Sequence, residues 1–415
     1  MPAPTVRELC QVFGRIGLLS FGGPAAQIAL MHRTLVDEKK WLTEDTFLRA
    51  LSLCMLLPGP EAMQLATYAG WRLDGTRGGL IAGLLFVLPG AIVILALAMA
   101  YATFGQVPLV QAAFTGIKAA VIVIVLQALI KVSSRALTSK TAWVLAGAAF
   151  VALFFLDLPY PLIIAGAAAI GAIAIKTPQQ QAPSHRHTAQ NPVMTLLIWG
   201  AMWFVPIALL ALIDHAFLMQ IALFFSKLAV VTFGGAYAVL AYMTQSVVAD
   251  FGWMTTGQMI DALGLAETTP GPLILVTQFV AMIAGFNESG PLLAAAAGAV
   301  ALWVTFTPCF LWIFLAGPYL DALASRPRLS AALAGITAAV VGVIFNLALW
   351  FSIHVLFTQV AGLPGVSAPV PVFASLDVNA LVLTVLAAVL LLGVKRGIAE
   401  TLGIMAIAGV SLALL

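Results

Sequence analysis

The chain has 415 residues, 62% of them hydrophobic and only 8% charged, with a mean hydropathy of +1.08. Apolar runs of spanning length therefore dominate, and a water-soluble globular domain is excluded. A formal charge of +3, with no basic stripe interleaved with aromatics, excludes a nucleic-acid-binding module. Cys10, Cys54 and Cys309 have no paired spacing, so neither a disulfide framework nor a zinc site is indicated, and all three read as apolar packing.

In chain order, polar breaks divide the first half into apolar segments near 7–31, 47–70, 78–102, 109–131, 141–156 and 160–176. The first strongly apolar run begins near Val12, contains Arg15 and lacks a small-residue cleavage site, so the N-terminus reads as retained rather than as a cleaved signal. This first segment is interrupted at Gly22-Gly23-Pro24. The second is interrupted at Pro58-Gly59-Pro60, where two prolines remove backbone donors and Gly59 permits a sharp turn, predicting two half-helices joined at depth. Residues 177–192 (TPQQQAPSHRHTAQNP) are polar and without apolar periodicity, an exposed linker. Beyond it, segment 194–213 has no counterpart upstream. Six more follow near 219–244, 258–285, 290–316, 330–353, 379–393 and 397–415, about thirteen in all.

The second six repeat the first. Phe13, Phe21-Gly22-Gly23, Met31, Trp41, Thr43 and Pro58-Gly59-Pro60 recur 212 positions later as Phe225, Phe233-Gly234-Gly235, Met243, Trp253, Thr255 and Pro270-Gly271-Pro272. Lys and Arg, which collect in cytoplasmic loops, switch sides between the copies. The loop with Arg33, Lys39 and Lys40, the one with Arg72 and Arg77, and the one with Lys131, Arg135 and Lys140 have copies without basic residues. Residues 104–108 and 157–160 have none where their copies carry Arg326, Arg328, Lys395 and Arg396. The expected fold is an all-α integral membrane protein of two inverted-topology helical repeats with broken or re-entrant helices. Its organisation is a first membrane repeat over 1–176, a polar cytoplasmic linker over 177–193, an unpaired connecting helix over 194–218 and a second, inverted repeat over 219–415. Thirteen full crossings are the alternative.

Proline and glycine in one membrane helix read as a packing kink, but a doublet at matching positions in inverted copies points to a transporter binding site. Helices starting at Pro24, Pro60, Pro272 and Ala236 turn free N–H groups and positive dipole ends to the breaks, which suits an anion. Arg15 and its repeat-mate Lys227 each lie six residues before a Phe-Gly-Gly and add charge. Snorkelling or ion pairing with Glu8, Glu61 or Glu267 is the alternative. Past the second segment the register slips by seven, so Pro89 and Pro108 recur 219 positions later as Pro308 and Pro327. On that offset Lys118 has Thr337 as its mate, so symmetry does not support it, and substrate and structural roles stay open. Arg49 reads as an interfacial anchor. Glu61 reads as a helix cap or a proton-exchanging group. Ser20 with Thr232, Thr268 with Thr269, and Gln64 with Gln278 supply polar groups that suit an oxyanion or equally glue helices. His185, His187, His215 and His354 have no metal-ligand partner at helical spacing, so no metal is expected.

FGRIGLLSFGGPAAQIALMHR, LLPGPEAMQLATYAGWRLDGTRGGLIAG, TFGGAYAVLAYM and ETTPGPLILVTQFVAMIAGF resemble the chromate ion transporter family in its two-domain bacterial form, over nearly the whole chain. The resemblance implies chromate efflux across the bacterial inner membrane and chromate resistance, with sulfate as an analogue that competes. It points to both Phe-Gly-Gly turns, both Pro-Gly-Pro turns, Arg15, Glu61 and Gln64. The chain departs from symmetry at Ala236, where the first copy has Pro24, which leaves the break in 219–244 less defined. The expected carrier holds a tetrahedral dianion, needs no cofactor, sits among membrane lipid and is compatible with a homodimer. A sulfate or other inorganic-anion transporter or channel is the alternative. A membrane redox enzyme would need a haem, flavin or iron–sulfur centre, and paired intramembrane histidines, clustered cysteines and a dinucleotide fingerprint are all missing.

Overall fold

A computed structural model describes residues 4–175, 191–233, 236–319, 326–363 and 366–414. The linker over 177–193 thus lies largely outside the described residues, as do Gly234 and Gly235. The described chain is predominantly helical, in agreement with the all-α expectation. Among the described residues five helices are long and apolar enough to cross a bilayer: Glu61–Phe104, Pro108–Ala136, Pro192–Leu212, Pro291–Tyr319 and Pro327–Leu356.

The first apolar segment is two helices, α1 (Val6–Leu19) and α2 (Gly23–His32), and the second divides into α3 (Glu44–Leu56) and the start of α4 (Glu61–Phe104). α1 starts at a capping box. Glu8 N–H donates to Thr5 Oγ1 at 3.3 Å, while Thr5 N–H donates to Glu8 Oε2 at 2.8 Å. Its Leu9, Val12, Phe13 and Ile16 recur at helical spacing and are all buried. α4 absorbs the segment expected at 78–102, with an internal break at Asp74 and Gly75. Gly75 adopts φ +57° and ψ −152°, a conformation reserved for glycine, and the chain folds back there. Gly70 packs on Gly78 and Thr67 on Gly83, so residues on the two sides of the break run antiparallel.

The remaining first-half helices are α5 (Pro108–Ala136), α6 (Lys140–Phe154) and α7 (Tyr160–Ala174). α8 (Pro192–Leu212) is the unpaired segment. There follow α9 (Ala216–Val231), α10 (Ala236–Gln245), α11 (Thr256–Thr268), α12 (Val276–Ser289), α13 (Pro291–Ala316) and α14 (Pro327–Leu356). α15 (Val378–Ala388) and α16 (Ile398–Ala413) end the chain. Between α14 and α15 the expected loop contains an antiparallel hairpin, β1 (Val360–Leu363) with β2 (Val366–Pro371). Local geometry follows the 212-residue repeat. Both α2 and α10 continue into a π-turn, where Lys39 N–H donates to Thr34 O at 3.0 Å and Phe251 N–H to Ser246 O at 2.9 Å.

The helices form two compact units, each drawing on both halves of the sequence. The first comprises 1–99, 178–236 and 269–327. Within it α13 packs on α8, α9 and α12. Trp303 Nε1 donates to Met202 O at 2.8 Å, and Trp203 Nε1 donates to Ser226 Oγ at 3.1 Å, giving these two indole N–H groups their partners, whereas the buried Trp312 Nε1 of α13 meets no acceptor among the described residues. The second unit comprises 100–177, 237–268 and 328–415, with α5 against α11, α15 and α16. Small residues allow the close crossings: a Cβ at Gly116 would collide with the Met405 carbonyl, and one at Gly409 with that of Ala112.

Candidate functional site

Four chain breaks carry the candidate residues. α1 ends at Leu19, and Phe21 leads into Gly22 (φ +84°) and Gly23 (φ +77°), with Pro24 in the first turn of α2. No side chain caps α2, so its first N–H groups have no side-chain acceptor. After α3 the chain is extended at Leu57 and passes through Pro58, Gly59 (φ +123°) and Pro60, and α4 begins with the half-buried Glu61. In the second copy α9 ends at Val231 before Thr232 and Phe233. α11 ends at Thr268, and Thr269, Pro270, Gly271 (φ +87°) and Pro272 lead through a 3₁₀ turn, Leu273–Leu275, into α12.

Within the first unit these breaks join in matched pairs. Gly271 N–H donates to the Ser20 carbonyl at 2.9 Å, and Gly59 N–H donates to the Thr232 carbonyl at 2.8 Å. Gly59 and Gly271 are repeat-mates, as are Ser20 and Thr232, so the two bonds exchange under the 212-residue offset. The hydroxyls match too. Ser20 Oγ donates to Ile16 O at 2.6 Å and Thr232 Oγ1 to Leu228 O at 2.6 Å. Each hydroxyl proton is thus committed to the helix behind it, and these residues offer a ligand acceptor lone pairs. The antiparallel register within α4, Gly70 with Gly78 and Thr67 with Gly83, continued to the helix start brings Pro60 toward Gly90, and a Cβ at Gly90 would collide with the Pro270 carbonyl. On that register the two Pro-Gly-Pro breaks lie at one level.

Three buried glutamines knit this level. Gln64 Nε2 donates to Pro58 O at 2.7 Å, Gln278 Nε2 to Ala91 O at 3.1 Å, and Gln27 Nε2 to Gly271 O at 2.7 Å. Among the described residues their Oε1 atoms meet no donor. Gln27 is absent from the sequence-derived candidates: its repeat-mate is Val239, so the repeat does not single it out, and it lies outside the Phe-Gly-Gly and Pro-Gly-Pro turns. Arg15 and Lys227 are alike in being exposed, on the helices that lead into Ser20 and Thr232.

Lys118 and Thr268 belong to the second unit. Lys118 Nζ lies 2.9 Å from Asp261 Oδ1, and Tyr101 OH donates to Asp261 Oδ2 at 2.7 Å, so this cation already has a carboxylate. Thr268 Oγ1 donates to Leu265 O at 2.8 Å, and Tyr237 OH donates to Glu267 Oε1 at 2.9 Å. A cavity of about 540 Å³ in this unit is lined by Lys118, Thr256, Thr358, Asp377 and His354.

The first unit's site is thus backbone-built: helix N-termini and glycine turns fixed at one level, with cations on the helices leading in. Such a locus binds negative charge through N–H groups and aligned dipoles. Residues 7–172 and 219–413 match the profile of the chromate transporter family. The chain is 33% identical over 352 residues to a probable chromate transport protein of Synechococcus elongatus, covering 83% of this chain and 84% of that one. It is 32% identical over 347 residues to a chromate transport protein of Cupriavidus metallidurans (83% and 82%), and 33% over 356 residues to one of Pseudomonas aeruginosa (83% and 80%). No solved structure matches the chain.

Proposed function

The chain belongs to the chromate transporter family and is a multi-pass membrane protein, and from that premise we propose that it is a secondary transporter exporting chromate across the bacterial inner membrane, thereby conferring chromate resistance. The observation that carries this reading is the reciprocal pair of glycine bonds, Gly271 to Ser20 and Gly59 to Thr232, at two breaks related by the sequence repeat. Broken helices at matching positions of two copies are the usual construction of a carrier's binding level. Inverted repeats, supported by the alternation of Lys and Arg between loop pairs, supply two exchangeable arrangements about that level.

In this mechanism Arg15 and Lys227 draw the dianion toward the breaks, and the N-termini of α2 and α4, with that of the 3₁₀ turn that opens α12, hold it through backbone N–H groups and helix dipoles. Glu61 and Gln64 in the first turn of α4, with Thr269 and Gln278 in the other copy, shape the polar wall. Gly22, Gly23, Gly59 and Gly271 supply the positive φ that brings backbone to the ligand. Export of a dianion from a cell that is negative inside is electrically downhill by about 2.3 kcal/mol per charge per 100 mV. The membrane potential is therefore a sufficient driving force.

Everted inner-membrane vesicles test the reading, because uptake into them reports export. Saturable accumulation of labelled chromate under an inside-positive potential, lost in Arg15→Ala with the protein still inserted, is the expected result. Flux of sulfate without chromate would overturn the substrate, and absence of any anion flux would overturn the transport reading.

A further inference from the structure

Among the described residues the two matched junctions are not held equally. At the first, Gly271 is fixed at both ends of its peptide. Its N–H donates to Ser20 O at 2.9 Å, and its carbonyl accepts from Gln27 Nε2 at 2.7 Å. The same Gln27 nitrogen also reaches the Ser20 carbonyl at 3.3 Å, so one carboxamide spans both sides of the junction. At the second junction Gly59 N–H donates to Thr232 O at 2.8 Å, but the neighbouring glutamine, Gln64, donates to Pro58 O, inside its own break. The residue placed to copy Gln27 is Val239, which has no side-chain donor. Gln27 is 1% exposed, so the bridge is shielded from competing water.

We propose that Gln27 is a positioning residue that makes the Ser20–Gly271 junction the fixed fulcrum of the binding level and leaves the Gly59–Thr232 junction as the one that parts during transport. The proposal rests on the transport reading for its second half only. A carrier with two equal junctions has no preferred place to open. A side-chain bridge across one of them supplies that preference. A residue with this role acts on the rate of the conformational step while the ligand's contacts stay the same.

Proline makes the test unusually direct. In each Pro-Gly-Pro triplet only the glycine has a backbone N–H, so amide exchange of a peptide over 58–60 or 270–272 reports a single junction bond. In purified full-length protein Gly59 is expected to exchange about tenfold faster than Gly271, the scale of one net hydrogen bond. Chromate in turnover should speed Gly59 further and leave Gly271 unchanged. Gln27→Leu should bring Gly271 to the rate of Gly59 and lower the maximal transport rate with KM unchanged. Equal or faster exchange at Gly271 in the wild type overturns the proposal, as does a Gly271 that stays protected in Gln27→Leu. Should Gln27→Leu fail to insert, Val239→Gln gives the converse test. A donor added at the second junction should slow Gly59 exchange and turnover together, and unchanged exchange with unchanged turnover overturns the proposal. Unequal exchange in a protein that moves no anion supports the clamp and removes the transport reading, so the two fail separately.

Discussion

Gly59 and Gly271 adopt φ values of +123° and +87°, where side chains other than glycine's are strained, and Gly59 is also crowded. A Cβ there would lie 2.8 Å from Gln64 Nε2 and 2.9 Å from Cys309 Sγ. Gly59→Ala is therefore expected to cost about 1–3 kcal/mol and to abolish transport, read as a lower midpoint in detergent melting together with lost vesicle uptake. The Lys118–Asp261 pair makes a different prediction. Removing only the cation leaves a buried carboxylate with Tyr101 as its remaining partner, a loss of about 3–5 kcal/mol when burial is complete and less here, where the lysine side chain is 25% exposed. Lys118→Met should thus melt lower than Lys118→Met with Asp261→Leu. If the single variant is as stable as the double, the pair has no structural role. Sequence made the glycines legible because they recur in both copies between prolines. It could not pair Lys118 with Asp261, since that contact depends on how α5 meets α11 and neither residue has a charged mate of the same sign.

At the scale of elements, the sequence also foretold where helices stop. The breaks at 20–23 and 57–60 follow directly from Gly-Gly-Pro and Pro-Gly-Pro, whose backbone chemistry is incompatible with a continuous helix. The fold-back at Asp74–Gly75 lies in a polar stretch that reads as a loop, yet the helices on both sides nearly meet through it. Gly75→Ala is expected to destabilise by about 1–3 kcal/mol, because its φ and ψ lie where only glycine is comfortable; an unchanged melting midpoint would refute that. The hairpin of β1 and β2 was illegible for another reason. Its strands are short, rich in proline and glycine, and without a clear apolar alternation, so nothing local distinguishes them from a loop. Close helix crossings depend likewise on a partner that sequence does not name. Gly116→Leu should drive α5 from α16 and reduce the folded yield sharply, whereas Gly147→Leu, whose Cβ position meets nothing, should be tolerated. Gel-filtration yield after membrane extraction separates the two.

For the whole molecule, the decisive property is the side of the membrane on which each loop lies. Basic residues alternate between loop pairs, and the reading of inverted copies depends on that alternation. Cysteines introduced at Gln106 and Asn287 are expected to react with an impermeant thiol reagent from outside intact cells, and those at Lys131 and Arg328 only from the cytoplasmic side. Labelling of all four from one side would refute the inversion. The two compact units each take segments from both copies, so a division of the chain by sequence repeat differs from its division by packing. The apolar pattern reports lipid exposure residue by residue, whereas packing units arise from contacts between segments far apart in the chain.

The exchanged glycine bonds also bear on how the molecule is made. Gly59 completes its backbone hydrogen bond only with Thr232, and the Ser20 carbonyl receives its backbone donor only when Gly271 exists. During translation, then, the first copy leaves the ribosome with a donor at Gly59 that nothing yet made can accept, and it must wait in the lipid for well over a hundred further residues. An unmet polar group in that setting is costly and invites capture by quality control. Separately synthesised halves should each be short-lived and should persist when made together, each serving as the other's folding partner.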